Sequence, residues 1–205
     1  MSAKPYDQDG PEAKAIAAVI PYFPFKGIPR FYDVGGLLAN PDKFQRVVDI
    51  MAERYAALEI DAIGGFDARG FLFTPVALAL KKPFFMLRKK GKMPNTIYGK
   101  EYTKEYAGND CLGIPRGAVK PGDRVLLIDD LVATGGTLAA GVELVEGQGA
   151  KVVECACMVE LKFLNGRAKV QEKFPDTNVW GFISEEVLLN EAKLPEGYVD
   201  DGEAH

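Results

Sequence analysis

The chain has 205 residues, and 47% of them are hydrophobic, which suffices for one substantial core with a small appendage. Its formal net charge of −4 disfavours a nucleic-acid-binding surface, and no apolar run approaches the roughly 18 residues that span a membrane. Residues 1–10 lack the apolar core of a signal peptide, so we expect a cytosolic protein. Three cysteines make no disulfide framework, and His205, the one histidine, ends an acidic tail, which excludes catalysis by histidine.

The first quarter of the chain predicts two helices separated by an irregular segment. Residues 1–10 are polar and predict a loose terminus, whereas residues 11–20 begin with Pro and predict a short helix. Residues 21–38 are too rich in Pro and Gly for regular structure, and their spacing favours aromatics packed under a long loop. Residues 40–55 open with an Asn-Pro cap and carry one apolar stripe, which predicts an amphipathic helix.

Two predicted strands are each followed by cationic side chains. Residues 60–66 form the first strand, and Asp67–Gly70 link it to an apolar helix over residues 71–80. Arg69 in this loop is either a surface charge or a diphosphate ligand, since its planar fork matches phosphate oxygens. Residues 83–87 form the second strand. The four cations after it, a solvated face in most proteins, are here a candidate diphosphate site: Arg88, Lys89, Lys90 and Lys92.

Residues 91–110 have little apolar periodicity and predict a lid loop with β-hairpin character. By composition alone, Lys104–Tyr106 would be a hydrophilic loop tip. Residues 111–114 then predict an edge strand, and Pro121–Asp123 a turn into the next strand.

The most informative stretch is Val125–Leu138. Val125–Ile128 predicts a strand buried on both faces of a parallel sheet, and Asp129 and Asp130 follow where it is expected to end. The small residues Ala133, Thr134, Gly135, Gly136 and Thr137 come next, and residues 138–145 have helical spacing. This order is how an open α/β sheet builds a phosphate site.

The residue types define the chemistry of this stretch. Glycines let backbone N–H groups approach a phosphate, the helix start adds partial positive charge, and Thr134 and Thr137 supply hydroxyl donors. The carboxylates of Asp129 and Asp130 would accept hydrogen bonds from sugar hydroxyls, coordinate Mg²⁺ or stabilise positive charge. The competing interpretation is an ordinary helix cap followed by a glycine turn. No Walker loop is present.

The remaining pattern alternates strands and helices. Residues 151–160 and 178–183 predict strands, residues 165–172 a short helix, and residues 194–205 a loose acidic tail. We therefore expect an α/β fold with one doubly wound, mostly parallel sheet over residues 11–190. Residues 11–38 would add a small hood.

The sequence VLLIDDLVATGGT resembles the motif with which type I phosphoribosyltransferases bind phosphoribosyl pyrophosphate (PRPP). The rest of the chain, from Ile16 to Leu189, resembles the adenine-specific branch of that family. The resemblance implies Mg²⁺-dependent transfer of a phosphoribosyl group from PRPP to adenine, giving AMP and pyrophosphate. It also implies a homodimer.

The family resemblance further implies roles for individual residues. Backbone groups of Arg30 and Tyr32 would read the base, with Phe31 and Leu161 packing around it. The family often has Arg at the position of Tyr32, so any role of that side chain would be lost. Arg69, Arg88 and Lys92 would bind the diphosphate, with an unusual backbone bend at Asp67–Gly70. In the lid, Tyr106 would contact PRPP, and Glu105 would close over the base and accept or relay a proton.

Three alternatives remain at this point. The base could be hypoxanthine, guanine or a pyrimidine, because backbone groups would do the reading. The chain could be a PRPP-sensing regulator without turnover, although no helix-turn-helix extension is visible. It could also synthesise PRPP, but it looks short for that reaction and lacks an evident triphosphate loop.

Overall fold

The central feature of the computed structural model is a seven-stranded sheet with the strand order β5-β6-β4-β3-β7-β8-β9. The structure describes residues 4–103, 109–194 and 196–198, with the backbone alone at residues 101–103 and 109–110. Strands β3, β4, β7, β8 and β9 pair in parallel, whereas β5 and β6 pair antiparallel. A separate antiparallel pair, β1 and β2, forms a small second sheet.

The strands are β1 (Tyr22–Phe25), β2 (Ile28–Tyr32), β3 (Ala62–Phe66), β4 (Phe84–Lys89), β5 (Thr96–Thr103), β6 (Asn109–Pro115), β7 (Arg124–Val132), β8 (Lys151–Glu160) and β9 (Asn178–Ser184). The α-helices are α1 (Pro11–Ala17), α2 (Gly35–Leu38), α3 (Pro41–Tyr55), α4 (Thr74–Leu80), α5 (Gly136–Glu146) and α6 (Gly166–Lys173). Short 3-10 helices cover Arg69–Phe73, Lys162–Leu164 and Glu185–Val187. The described helices include none that is long and apolar enough to cross a membrane.

Two hydrophobic cores lie on opposite faces of the sheet, which confirms the predicted doubly wound arrangement. Leu126 and Ile128 of β7 pack into the core that holds α1, α3 and α4. Val125 and Leu127 point the other way, into the core that holds α5. Because successive side chains of a strand alternate between faces, a strand covered on both sides must be apolar at every position.

Three predictions about individual elements are wrong. Residues 21–38 are not irregular: they form the β1–β2 hairpin, in which Tyr22 pairs with Tyr32, and the short helix α2. Residues 111–114 are not an edge strand, because β6 lies between β4 and β5. Strand β7 does not end at Ile128, since its pairing with β8 continues to Val132. The hairpin character predicted for the lid is confirmed by the antiparallel pairing of β5 with β6.

The N-terminal segment is also more ordered than its polar composition predicts. The Lys4 N–H donates to the Arg54 carbonyl at 3.0 Å, and the Asp9 N–H donates to the Phe182 carbonyl at 3.2 Å. The Trp180 Nε1 donates to the Tyr6 carbonyl at 3.2 Å. Residues 4–9 are therefore a strap across α3 and β9, held by partners so distant in sequence that no local pattern reveals them.

A buried ion pair joins α3 to β8. Arg54 and Glu154 are 7% and 4% exposed, and the Arg54 Nη2 lies 2.8 Å from the Glu154 Oε1. The same carboxylate oxygen accepts the Tyr55 hydroxyl at 2.7 Å, and the guanidinium lies 4.4 Å from the centre of the Trp180 ring. Removing one charge of such a pair leaves the other buried and uncompensated.

We expect Glu154→Gln to lower the free energy of unfolding by about 3 kcal/mol, because the Arg54 charge would lose its counter-ion in the core. Urea titration followed by circular dichroism measures this difference. Glu172→Gln is the matched control, because Glu172 is exposed on α6 and should change stability by less than about 0.5 kcal/mol. Equal stabilities of the two variants would contradict the assigned role of the pair.

Candidate active site

The two adjacent carboxylates lie inside β7 rather than after it. Asp129 pairs with Cys157 of β8, and the pairing continues through Leu131 and Val132. Asp129 and Asp130 therefore lie on a rigid paired strand close to the carboxyl edge of the sheet, and both line the same cavity. Strand pairing rather than a loop sets the position of both side chains.

Asp130 has an unsatisfied acceptor. Its side chain is 6% exposed, and its Oδ2 lies 3.0 Å from the Arg69 Nε. These two atoms form an ion pair but not an aligned hydrogen bond, so Asp130 Oδ2 is a buried acceptor without a hydrogen-bond donor among the described residues. Because native proteins rarely leave such an atom unpaired, it indicates where a ligand hydroxyl would donate.

Burial is the largest cause of the raised pKa values of Asp129 and Asp130. Burial, and then the charge of Asp130, raise the pKa of Asp129 well above its usual value. Burial also raises the pKa of Asp130, against the opposing charge of Arg69. The Asp129 Oδ1 accepts a hydrogen bond from the Asp130 N–H at 2.9 Å. The site therefore holds negative charge at an energetic cost, and a cationic ligand would relieve that cost.

The small-residue loop has the geometry of an anion site. Gly135 adopts the left-handed region, with φ of +83°, and precedes α5 without a side-chain cap. A Cβ at this position would lie 2.4 Å from the Gly166 carbonyl oxygen, so the close approach of this loop to the start of α6 requires glycine. Gly136 and Thr137 are exposed, Ala133 and Thr134 are half-buried, and the first N–H groups of a helix lack intrahelical partners.

A polar cavity of about 230 Å³ lies between β3, β4 and β7. Its described lining includes four residues that the sequence assigned to PRPP: Arg69, Asp129, Asp130 and Thr137. The structure thus brings together two diphosphate candidates, Arg69 and Lys89, with both carboxylates and one end of the phosphate loop.

The loop after β3 is braced by the cation cluster. A cis peptide bond joins Asp67 to Ala68, which confirms the predicted unusual bend. The Arg88 Nε donates to the Asp67 Oδ2 at 3.0 Å, and the Arg88 Nη1 donates to the Lys92 carbonyl at 3.3 Å. Among the described lining residues of the cavity, the cluster contributes Lys89 rather than Arg88 or Lys92. Diphosphate binding by Arg88 and Lys92 stays a prediction.

A second pocket, about 670 Å³ and largely apolar, lies beside the first. The β1–β2 hairpin contributes Arg30, Phe31 and Tyr32 to its lining, and Leu161 faces them. All four residues assigned to the base by the family resemblance therefore line one pocket. Tyr32 is 6% exposed, and burial is the main reason why its pKa is raised.

Arg69 and Leu131 line both pockets. The Arg69 guanidinium carbon lies 5.5 Å from the centre of the Phe31 ring, while its Nε contacts Asp130. A ligand that fills both pockets would pass this boundary. The arrangement suits a molecule with a polar phosphorylated part and a flat apolar part.

Several residues of the second pocket were not predicted from the sequence. Phe163 and Leu164 lie in the 3-10 helix after β8, and Glu185 lies in the one after β9. Both strands were predicted, and the ends of parallel strands meet at one edge of the sheet. The available signal was therefore the position of Ser184–Glu186 directly after a buried strand.

Two expected residues cannot be placed. Glu105 and Tyr106 lie outside the described residues, so their roles stay predictions. Among the residues that the structure describes, there is no group of three or more His, Cys, Asp or Glu side chains that could hold a metal ion.

Comparisons with known proteins agree with this geometry. Residues 33–197 match the model of the phosphoribosyl transferase domain. The chain is 48% identical over 170 residues to adenine phosphoribosyltransferase 2 of Arabidopsis thaliana, covering 81% of this chain and 88% of that protein. It is 45% identical over 160 residues to the adenine phosphoribosyltransferase of Pelobacter propionicus, covering 78% and 92%.

Two solved structures show the same fold. The adenine phosphoribosyl transferase of Trypanosoma brucei, in complex with AMP, pyrophosphate and ribose-5-phosphate, superposes with a TM-score of 0.85 at 34% identity, covering 94% of this chain and 87% of that one. The enzyme of Giardia lamblia complexed with 9-deazaadenine gives a TM-score of 0.76 at 34% identity, covering 84% and 97%. The chain therefore belongs to the phosphoribosyltransferase family, in its adenine phosphoribosyltransferase branch.

Proposed function

We propose that the chain transfers the 5-phosphoribosyl group of PRPP to adenine, giving AMP and pyrophosphate in purine salvage. The observation that carries this proposal is the boundary formed by Arg69 and Leu131, which line both a polar cavity with two carboxylates and an apolar pocket. Glycosyl transfer needs this adjacency, because C1 of the ribose must lie next to N9 of the base.

Asp129 and Asp130 act on the ribose. Their carboxylates accept hydrogen bonds from the sugar diol, and the buried Asp130 Oδ2 is an acceptor for which the described residues supply no hydrogen-bond donor. The C–O bond breaks ahead of C–N formation, so positive charge develops at C1, and two nearby carboxylates favour it. The 5′-phosphate binds the loop Ala133–Thr137, where backbone N–H groups and the start of α5 attract an anion.

The departing diphosphate is bound by cations. Arg69, Arg88 and Lys92 stabilise its charge, and Lys89 joins them from the wall of the cavity. The carboxylates of Asp129 and Asp130 are hard oxygen ligands that fit Mg²⁺, an ion usually held by one or two carboxylates together with substrate oxygens. When bound, Mg²⁺ would neutralise charge on the diphosphate. The lack of a larger ligand cluster among the described residues is consistent with an ion that enters with PRPP.

The base occupies the apolar pocket. Backbone groups of Arg30 and Tyr32 read its edge, while Phe31 and Leu161 pack against its ring. Glu105 accepts or relays a proton at the imidazole edge, and Tyr106 contacts PRPP when the lid over residues 91–110 closes. Closure excludes water from the reactive sugar. Homodimer formation and a cytoplasmic location complete the proposal.

The direct test incubates the protein with PRPP, Mg²⁺ and one base at a time: adenine, hypoxanthine, guanine, xanthine, orotate or uracil. We expect AMP and pyrophosphate from adenine alone, and no product when the metal is chelated. Product from another base would overturn the adenine assignment. PRPP binding without product from any base would favour a PRPP-sensing regulator.

We expect Asp130→Asn to lower turnover by roughly 10²-fold, because the variant removes a negative charge that stabilises the positive charge developing at C1 in the transition state. The measurement is the initial rate of AMP formation at saturating substrates. Asp176→Asn is the matched control, since Asp176 is exposed and is not among the described lining residues of either pocket. If turnover falls while the melting temperature is unchanged, the loss comes from the chemistry and not from unfolding. Near-normal turnover of Asp130→Asn would remove Asp130 from the mechanism.

Gly135→Ala should raise the KM for PRPP by more than about tenfold, because the added Cβ would push the phosphate loop away from Gly166. Gly117→Ala is a control with the same backbone strain. Gly117 has a φ of +83°, like Gly135, but a Cβ there would meet no atom within 4 Å. An equal loss of PRPP affinity in both variants would attribute the effect to general destabilisation rather than to the loop.

A further inference from the structure

One wall of the base pocket is made by two turns that belong neither to the sheet nor to a long helix. The 3-10 helix Lys162–Leu164 supplies Phe163 and Leu164, and the 3-10 helix Glu185–Val187 supplies Glu185. Their relative position sets the width of the pocket. The contacts that hold these turns therefore bear on how the base fits.

A single carboxylate joins the two turns to each other. The Glu185 Oε2 accepts the Lys162 N–H at 2.9 Å, and the Glu185 Oε1 accepts the Phe163 N–H at 3.2 Å. Each oxygen of Glu185 is thus used to fix the opposite turn. The wall behaves as one unit as long as Glu185 itself is held in place.

Asp9, on the N-terminal strap, holds this unit from behind. Its Oδ1 accepts the Ser184 N–H at 2.7 Å, and its Oδ2 accepts the Ser184 hydroxyl at 2.7 Å. Ser184 is fully buried and caps the second turn by accepting the Glu186 N–H at 3.3 Å. The Asp9 Oδ2 also accepts the Lys162 Nζ at 3.2 Å. One carboxylate thereby contacts both turns.

Asp9 can hold both turns because its backbone is anchored to β9 and its carboxyl group is charged. Its backbone N–H donates to the Phe182 carbonyl at 3.2 Å, which attaches the strap to β9. Burial opposes ionisation, but the hydrogen bonds from Ser184 and Lys162 outweigh it and lower the pKa of Asp9. The carboxylate is therefore ionised at neutral pH, when it accepts charge-assisted hydrogen bonds.

We propose that Asp9 is a positioning residue for the base: it touches no ligand, and it sets the base-pocket wall by holding Lys162 and Ser184. This inference rests on the proposed function, since adenine is the ligand it affects. The carboxylates of β7 are placed by strand pairing, and the phosphate loop is placed by α5 and by its close approach to Gly166, whereas Asp9 hydrogen-bonds to Ser184 and Lys162. Loss of Asp9 should therefore weaken binding of the base and not that of PRPP.

The experiment compares steady-state kinetics of Asp9→Asn and Lys162→Met with those of the unmodified chain. Asn suits position 9, where φ is +60°, and keeps the shape of the side chain while removing its charge. We expect the KM for adenine to rise about tenfold in each variant, with kcat and the KM for PRPP within about twofold. The double variant should lose less than the sum of the two single losses, because the contact between Asp9 and Lys162 is common to both variants.

Tyr6→Phe is the control within the same strap. Its hydroxyl donates to the Glu53 Oε2 at 2.5 Å, away from the base pocket, and the KM for adenine should be unchanged. An increase equal to that of Asp9→Asn would assign the effect to the strap as a whole and overturn the proposal. So would an active Asp9→Asn variant with an unchanged KM for adenine, or with an equal rise in both KM values.

Failure of the proposed function is recognised separately. An unmodified chain that makes no AMP from adenine and PRPP overturns that function before any variant is compared, and the inference about Asp9 falls with it. AMP formation by the unmodified chain, with a KM for adenine that Asp9→Asn leaves unaltered, overturns the positioning role alone.

Discussion

The pairing of β7 with β3 on one side and β8 on the other is the constraint on which the rest of the site depends. Val125–Ile128 is fully buried, so the strand cannot shift without exposing apolar side chains on two faces. Asp129 and Asp130 follow on the same paired strand, and the phosphate loop begins after Val132. The position of the proposed reaction centre thus depends on a hydrophobic segment, Val125–Ile128, that is not among the described lining residues of either pocket.

Burying two carboxylates at this edge of the sheet costs free energy, and the surrounding residues offset only part of that cost. Arg69 is paired with Asp130, but one buried oxygen of Asp130 keeps no hydrogen-bond donor among the described residues. A site optimised only for stability would replace these carboxylates with apolar or amide side chains. The proposed ligand, which carries hydroxyl groups and develops positive charge, would give these carboxylates a function that offsets the cost of burying them.

The sequence predicts most of the elements around the polar cavity because their signals are local. The run VLLIDDLVATGGT contains strand, carboxylates and glycine turn within one short stretch, and only the end of the strand was misjudged. The base pocket is different. Residues 21–38 were predicted to be irregular because they are rich in Pro and Gly. They form a hairpin whose strands pair with each other rather than with the main sheet. Glu185 and Asp9 act through partners that are more than 20 and 150 residues away in the chain, so no periodicity indicates them.

The two halves of the site also differ in what stabilises them, and this difference has a functional consequence. PRPP would bind to groups on β3, β7 and α5, which share the buried cores of the sheet. The base would bind between a hairpin and two turns, which are held by side-chain contacts such as those of Glu185 and Asp9. Substitutions in these outer segments can alter base recognition without disturbing the sheet or the chemistry at C1. The architecture therefore places the proposed activation of PRPP on the paired strands of the sheet and the proposed selection of the base on the outer segments.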